Sequence, residues 1–371
     1  MAMKGQVVYM YAYDVAYEID LPKAREFLAH RPQYLEVSPD KTLPRDFPFH
    51  KPLVVTEHPI LVQTPQGSMT LHREIKIFSV GALSISIRAD FDVRSIKDLL
   101  PYHDVRIENG RSIDDIAGGI AEKMLESLRL FLTKPSPSKG NPEAYTVFCL
   151  YAPGEEKPWP DAQEWLQSHR REIAGLLTEE EHFDQLSEAE VEETIRHAYS
   201  YTVGDLFVAD WNSALIVDPD GKPEDLLYTV ETANLQLTEF RLYDRILEEA
   251  VDRAYDDIED YTRKTPIFRG PGHILQRLRR MRMDLEKMSD EVSNITKFFG
   301  DWHLARIYMA CADRFHLKDW QLAVESKLKT LDNLYNMVLS DINNRRMLVL
   351  EVAIVGLFVV DIIYIVLSAG K

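Results

Sequence analysis

Glu193 and His197 stand one helical turn apart in "SEAEVEETIRHAYSY", and an acid and an imidazole at that spacing are the minimum for a metal site or an acid–base pair. Glu188 and Glu192 lie within reach, yet there is neither an HExxH pair nor a third ligand at suitable spacing, and a solvated helix face satisfies the same pattern. "VDPDGKPED" groups Asp218, Asp220, Glu224 and Asp225, but without calcium-loop spacing and where the chain needs a turn. "FRGPGH" carries Gly270 and Gly272 after a helical pattern rather than a strand and lacks the third glycine of a dinucleotide loop, so it reads as a helix-breaking turn. The two "GK" dipeptides, in "DGK" and "AGK", lack the rest of a phosphate loop. Cys149 and Cys311 have no CxxC or histidine companions and sit in apolar segments, as buried thiols do. No glycine-flanked serine elbow is present. On these patterns we expect no catalytic residue, metal ligand or cofactor, and the balance leans away from an enzyme.

Two charged clusters remain. Glu248, Asp252, Asp256 and Asp260 recur at four-residue steps, either as a solvated stripe or as a face for basic partners. Arg277, Arg279, Arg280 and Arg282 form the basic patch, which suits charge matching within a helical assembly, anionic lipid or RNA. The net charge of −17 is unevenly spread. Residues 1–235 hold 23 Lys and Arg against 39 Asp and Glu, whereas residues 236–346 hold 19 of each. A front half at −16 repels phosphate backbones, so nucleic acid is not an expected partner of the N-terminal body.

The strongest signal lies in "NNRRMLVLEVAIVGLFVVDIIYIVLSAGK". From Met347 to Ala369 the only formal charges are Glu351 and Asp361, and as a helix the run is long enough for a bilayer core of about 30 Å. Fifteen Leu, Ile, Val and Phe residues, at roughly −0.3 to −0.6 kcal/mol each, outweigh two acids at up to about +3 each. This predicts a transmembrane helix over 347–369. Arg345 and Arg346 before it, against Lys371 alone after it, favour a cytoplasmic N-terminal body. No apolar stretch of signal-peptide length precedes Asp14, which fits a tail anchor, with a bacterial inner membrane as the expected location. The two acids lie about 80° apart around a helix, with Gly356 between them in sequence, and the expectation is a self-association face made of all three. Acids that merely snorkel to opposite interfaces fit equally well.

The elements that must carry these residues read as an α+β chain with a mixed or antiparallel sheet. "QVVYMYAYDVAYEI" has the β-branched and aromatic bias of a strand, and "LPKAREFLAHR" follows as a helix with Pro22 in its first turn. "PLVVTEHPILVQ", "MTLHREIKIF" and "ALSISIRADF" alternate as strands, and Ser112 opens a helix through "LRLFL". "TKPSPSKGNPE" reads as a linker, after which a strand, two helices and a hairpin turned at Asp220–Gly221 repeat the order. The predicted domains are a first block at 1–132, a linker at 133–142, a second block at 143–235, a helical stalk at 236–346 and the span. Each block is βαββ-like. Within the stalk, Val324, Leu328, Leu331, Tyr335, Val338 and Ile342 step by four and three, the spacing of a coiled-coil seam.

"YAYDVAYEIDL", "RLYDRILEEAVDRAYDDIED", "LRRMRMDLEKMSDEV", "KFFGDWHLARIY" and above all "SKLKTLDNLYNMVLSDINNRRMLVLEVAIVGLFVVDIIY" resemble the "required for meiotic nuclear division" family, a domain-of-unknown-function family with mitochondrial and bacterial members. The resemblance implies a membrane-anchored homo-oligomer, in mitochondria at the inner membrane and supporting organellar translation, with no catalytic residues to carry over. The expected function is therefore a membrane-anchored, self-associating scaffold or adaptor with an acidic cytoplasmic body. Its alternative is a membrane-tethered enzyme or ligand sensor working in a cleft between the two α+β blocks.

Overall fold

In β1 (Met3–Asp14) every residue from Val7 to Ala12 is buried, so this strand must be covered on both faces, and that requirement organises the molecule. The computed structural model describes residues 3–31, 34–39, 52–65, 67–107, 110–135, 142–151, 161–264 and 302–369. After β1 come β2 (Ala16–Ile19), α1 (Leu21–Leu28), β3 (Tyr34–Pro39), β4 (Leu53–Thr64), β5 (Gly67–Ile77), β6 (Ala82–Val93), α2 (Ile113–Leu128) and β7 (Leu132–Pro135). The chain continues through β8 (Glu143–Tyr151), α3 (Ala162–Leu177), α4 (Glu188–Ile195), β9 (Ala198–Tyr199), β10 (Leu206–Ala209) and β11 (Ser213–Asp218). Among the described residues three helices follow: α5 (Glu224–Lys264), α6 (Trp302–Arg314) and α7 (Leu317–Ala369).

Nine strands form one mixed sheet in the order β3-β4-β5-β6-β1-β8-β11-β10-β9, and β2 pairs with β7 beside it. The fold is α+β, as expected, but the boundary at 133–142 does not divide the sheet. β1 and β8 form an antiparallel ladder from Lys4↔Tyr151 to Ala12↔Glu143, so strands of the two expected blocks are neighbours in one sheet. The expected linker also begins inside β7. Each half places its first strand at the centre, its last strand beside it and the earlier ones outward. The closing pair is antiparallel in the first half (β1–β6) and parallel in the second (β8–β11), because the first half has one strand more after its helix.

Alternation sorts the side chains to two faces. On one, Tyr9, Tyr11, Ile85, Ile87, Phe148 and Leu215 pack with Ile116, Ile120 and Met124 of α2 and with Leu166 and Ile173 of α3. Local caps set where these helices begin: Ser112 and Asp115 close a capping box on α2, Asp161 accepts from the backbone of Gln163 at the start of α3, and Ser187 from Glu190 at α4. Val8, Met10, Ala12, Val147, Cys149, Ala214 and Ile216 point to the other face. There Leu235 of α5 packs with Ala12, Phe78 and Ala82, and Asn234 donates to the Glu143 carbonyl at 3.0 Å.

This second cover corrects the expected hairpin at Asp220–Gly221. "DLLYTVETANLQL" is the first part of α5, not a strand, and the hairpin is the β10–β11 pair inside "DLFVADWNSALIVD". A helix buried on several sides carries polar and β-branched residues without a clean stripe, so its sequence mimics strand alternation. Asp218 instead closes the turn before α5, accepting from the backbone of Asp220 at 2.9 Å and Lys222 at 2.8 Å.

The chain divides into two compact units, Met1–Phe240 with Asn294–Lys318, and Arg241–Ser293 with Asp319–Lys371. The first unit thus takes the start of α5 and all of α6 away from the expected stalk at 236–346. Tyr308 of α6 donates its hydroxyl to Gln236 of α5, and Tyr145 of β8 packs edge-on against Phe315. In the second unit the remainder of α5 and α7 lie side by side in the same direction. The Arg241 guanidinium sits 5.4 Å from the Trp320 ring, and Lys327 Nζ lies 2.7 Å from Asp244 and 3.2 Å from Glu248.

Candidate membrane anchor

Helix α7 runs unbroken from the stem into the apolar stretch, and its surroundings change along the way. Val324, Leu331, Leu334 and Val338 are buried, and the first, second and fourth belong to the expected seam, while Leu328 and Tyr335 are half-buried. From Met347 to Ile365 no part of the helix is buried, although these 19 residues are long and apolar enough to cross a membrane. Leu348, Leu350, Val352, Leu357, Phe358, Ile362 and Tyr364 all face outward. An exposed apolar surface of this extent on all sides of a helix has no stable place in water.

Glu351 and Asp361 both lie within this stretch and are exposed. At 100° per residue they diverge by about 80°, while Gly356 lies about 140° from each, directly opposite their mean direction. The glycine and the acids therefore do not share a face, contrary to the expected three-residue surface. A Cβ added at Gly356 meets nothing within 4 Å. Arg345 and Arg346 continue the helix by their backbone, and their side chains lie outside the described residues.

The stem is held by paired charges. Burial works against the Lys327 ammonium, but the hydrogen bonds it donates to Asp244 and Glu248 outweigh it and hold the group above the ordinary lysine value. Glu248 of the acidic stripe is thus engaged within the chain, as the side chain of Asp260 lies outside the described residues. The basic patch Arg277, Arg279, Arg280 and Arg282 also lies outside them.

Glu193 and His197 do not converge on a shared point. His197 Nε2 is 3.0 Å from Asp313, and Glu193 pairs with Arg196 at 2.6 Å and Arg314 at 3.3 Å. Burial, reinforced by Arg314, pushes the His197 pKa down against the pull of Asp313. Arg314 has a structural task here, donating to the backbone carbonyls of Glu193 and Thr194 at the end of α4. Among the described residues no three His, Cys, Asp or Glu side chains are placed to hold a metal ion. Cys149 and Cys311 are buried free thiols, each pushed above the ordinary range by burial.

Pattern reasoning missed the charged layer between the sheet and α5. Lys76 Nζ lies 2.6 Å from Glu231 and 3.7 Å from Glu74, Ser84 donates to Glu231 at 2.5 Å, and Arg88 forms a two-pronged pair with Glu224 at 2.9 and 3.1 Å. Burial holds the Glu74 carboxyl above its usual range against Lys76 and Arg88. The one available hint was the appearance of Lys76, Ser84, Ser86 and Arg88 on alternate positions of otherwise apolar strands.

Residues 4–224 match the family described as "Uncharacterized protein MJ0711, N-terminal domain", well over half of the chain. The chain belongs to that family. The matched region contains all eleven strands and α1 to α4, and it ends at the first residue of α5, so the stem and anchor lie beyond the family's domain. Over 251 residues the chain is 22% identical to the uncharacterized protein MJ0711 of Methanocaldococcus jannaschii, covering 66% of this chain and 72% of the relative. No solved structure matches.

Proposed function

We propose that this chain is a single-pass, membrane-anchored and self-associating scaffold or adaptor, with its acidic α+β body on the cytoplasmic side. One observation carries the reading: a 19-residue apolar helical segment with no part buried, continuous with a packed two-helix stem. Insertion satisfies that surface, since every backbone polar group of the segment is bonded within the helix. Arg345 and Arg346, immediately before the span, support the cytoplasmic side for the body. The likeness of the C-terminal sequence to the "required for meiotic nuclear division" family supports the anchoring part of the proposal. Within the body, charged side chains that elsewhere serve chemistry are engaged with one another, as in Lys76–Glu231 and Arg314–Glu193. That favours a structural body over a catalytic one.

The test is extraction of membranes carrying the full chain with alkaline carbonate. The proposal expects the protein to stay with the membrane and its body to be cut by protease only when the cytoplasmic face is accessible. Release into the supernatant overturns the anchor. Chemical crosslinking that yields only monomer removes self-association.

A further inference from the structure

The geometry points to the face of the span that bears Gly356, and not the face that bears the two acids, as the surface on which two copies of this chain pair in parallel. The inference rests on the anchor reading and assigns its partner. Val324, Leu331 and Val338 are buried along α7, and Gly356 follows Val338 by eighteen positions, about five turns at 3.6 residues per turn. Continuing the four-and-three stepping of that seam into the span places Val349, Val352, Gly356, Val359 and Ile363 on one line, with no charged residue among them.

Over the stem this line is packed beside α5. Trp320 stands against Arg241 and Lys327 against Glu248, each pair seventy-nine positions apart. From Met347 to Ile365 no part of α7 is buried, so the line that is packed over the stem continues into a segment that is exposed.

A second copy fits that exposed side. Two identical chains anchored by the same helix enter the bilayer in the same direction, which brings equal residues to equal depth. Gly356 then permits close backbone approach, and the Val and Ile side chains around it lose little rotamer freedom on packing. The opposite face suits this pairing poorly. It would bring Glu351 against Glu351 and Asp361 against Asp361, setting like side chains face to face in a low-dielectric medium.

Single cysteines test the assignment in the full-length protein in native membranes, because Cys149 and Cys311 are buried. Val349→Cys, Val352→Cys, Val359→Cys and Ile363→Cys are each oxidised, alongside Ile354→Cys and Phe358→Cys on the acid side. The expected result is disulfide-linked dimer at the first four and little at the last two. Gly356→Leu is expected to lower dimer yield at Val352→Cys roughly tenfold, and Glu351→Gln with Asp361→Asn to leave the pattern unchanged. Crosslinks strongest at Ile354→Cys and Phe358→Cys, equal yields all round, or no crosslink in a carbonate-resistant protein overturn the face assignment while the anchor stands. A carbonate-extractable protein overturns the anchor and this proposal with it.

Discussion

Lys76→Met is expected to be among the most destabilising single changes in the body, and more costly than Glu231→Gln. The Lys76 and Glu231 side chains are 12% and 3% exposed and 2.6 Å apart, so the pair is desolvated. Breaking such a pair by removing one partner costs about 3 to 5 kcal/mol, because the remaining charge stays buried. The two removals differ. Without Glu231, Lys76 keeps Glu74 at 3.7 Å, which places Glu231→Gln near the lower end, about 3 kcal/mol. Without Lys76, Glu231 keeps the Ser84 hydroxyl at 2.5 Å, a neutral donor, which places Lys76→Met near the upper end, about 5 kcal/mol. Removing both charges as Lys76→Met with Glu231→Leu leaves mainly the Ser84 hydroxyl to satisfy, about 1 to 2 kcal/mol. The singles together then exceed the double by about 6 to 7 kcal/mol, far from additive. Denaturant unfolding of the full chain in mild detergent, followed by tryptophan fluorescence, measures all four species. Melting points should fall by roughly 2 to 4 °C for each kcal/mol lost. Two singles that each cost under about 1 kcal/mol, or that simply add in the double variant, refute the buried-pair argument.

Stability is expected to decline as pH falls below about 6.5, in part through His103. Its ring packs edge-on against Phe148, Nε2 donates to the Leu176 carbonyl at 2.8 Å, and burial lowers its pKa despite Glu179. The folded protein thus binds fewer protons than the unfolded chain between the lowered value and the ordinary one, so this contribution is complete above about 6.5 and is lost below it. His103→Gln should flatten that part of a pH series of melting points, and an unchanged slope counts against the assignment. Gly81→Ala should cost more than about 2 kcal/mol in a melting or denaturant experiment, because φ is +87° and an added Cβ would lie 1.7 Å from the Ala16 carbonyl oxygen. Deletion of residues 347–371 should release a soluble protein with cooperative unfolding, since the buried clusters among the described residues lie before Met347; aggregation or a broad transition would tie the stem to the span.

Much of this molecule is visible in residue types and short spacings. β4, β5 and β6 announce themselves by alternation, β1 and β8 by their β-branched and aromatic residues, α2 by Ser112 and its first-turn acids, and the anchor by a nineteen-residue apolar stretch interrupted only by Glu351 and Asp361. These features are local: they depend on which side chains an extended or helical backbone brings to one face, and on hydrogen bonds three residues apart. The relation of Gly356 to the two acids is local as well, since it follows from 3.6 residues per turn once the helix is continuous.

Three features depended on partners far away in the chain. Strand pairing between β1 and β8 joins two regions that read as separate blocks, because ladder hydrogen bonds carry no signature in the sequence of either strand alone. The first turns of α5 look like a strand, since packing on the second face of the sheet overrides their weak β-branched preference. Lys76 and Glu231 are 155 positions apart, and nothing near either residue names the other. Periodicity determined which elements form and which one is apolar all round; the second face of the sheet decided where α5 lies, and with it which charges are buried together, because only tertiary packing removes water from both members of a pair at once.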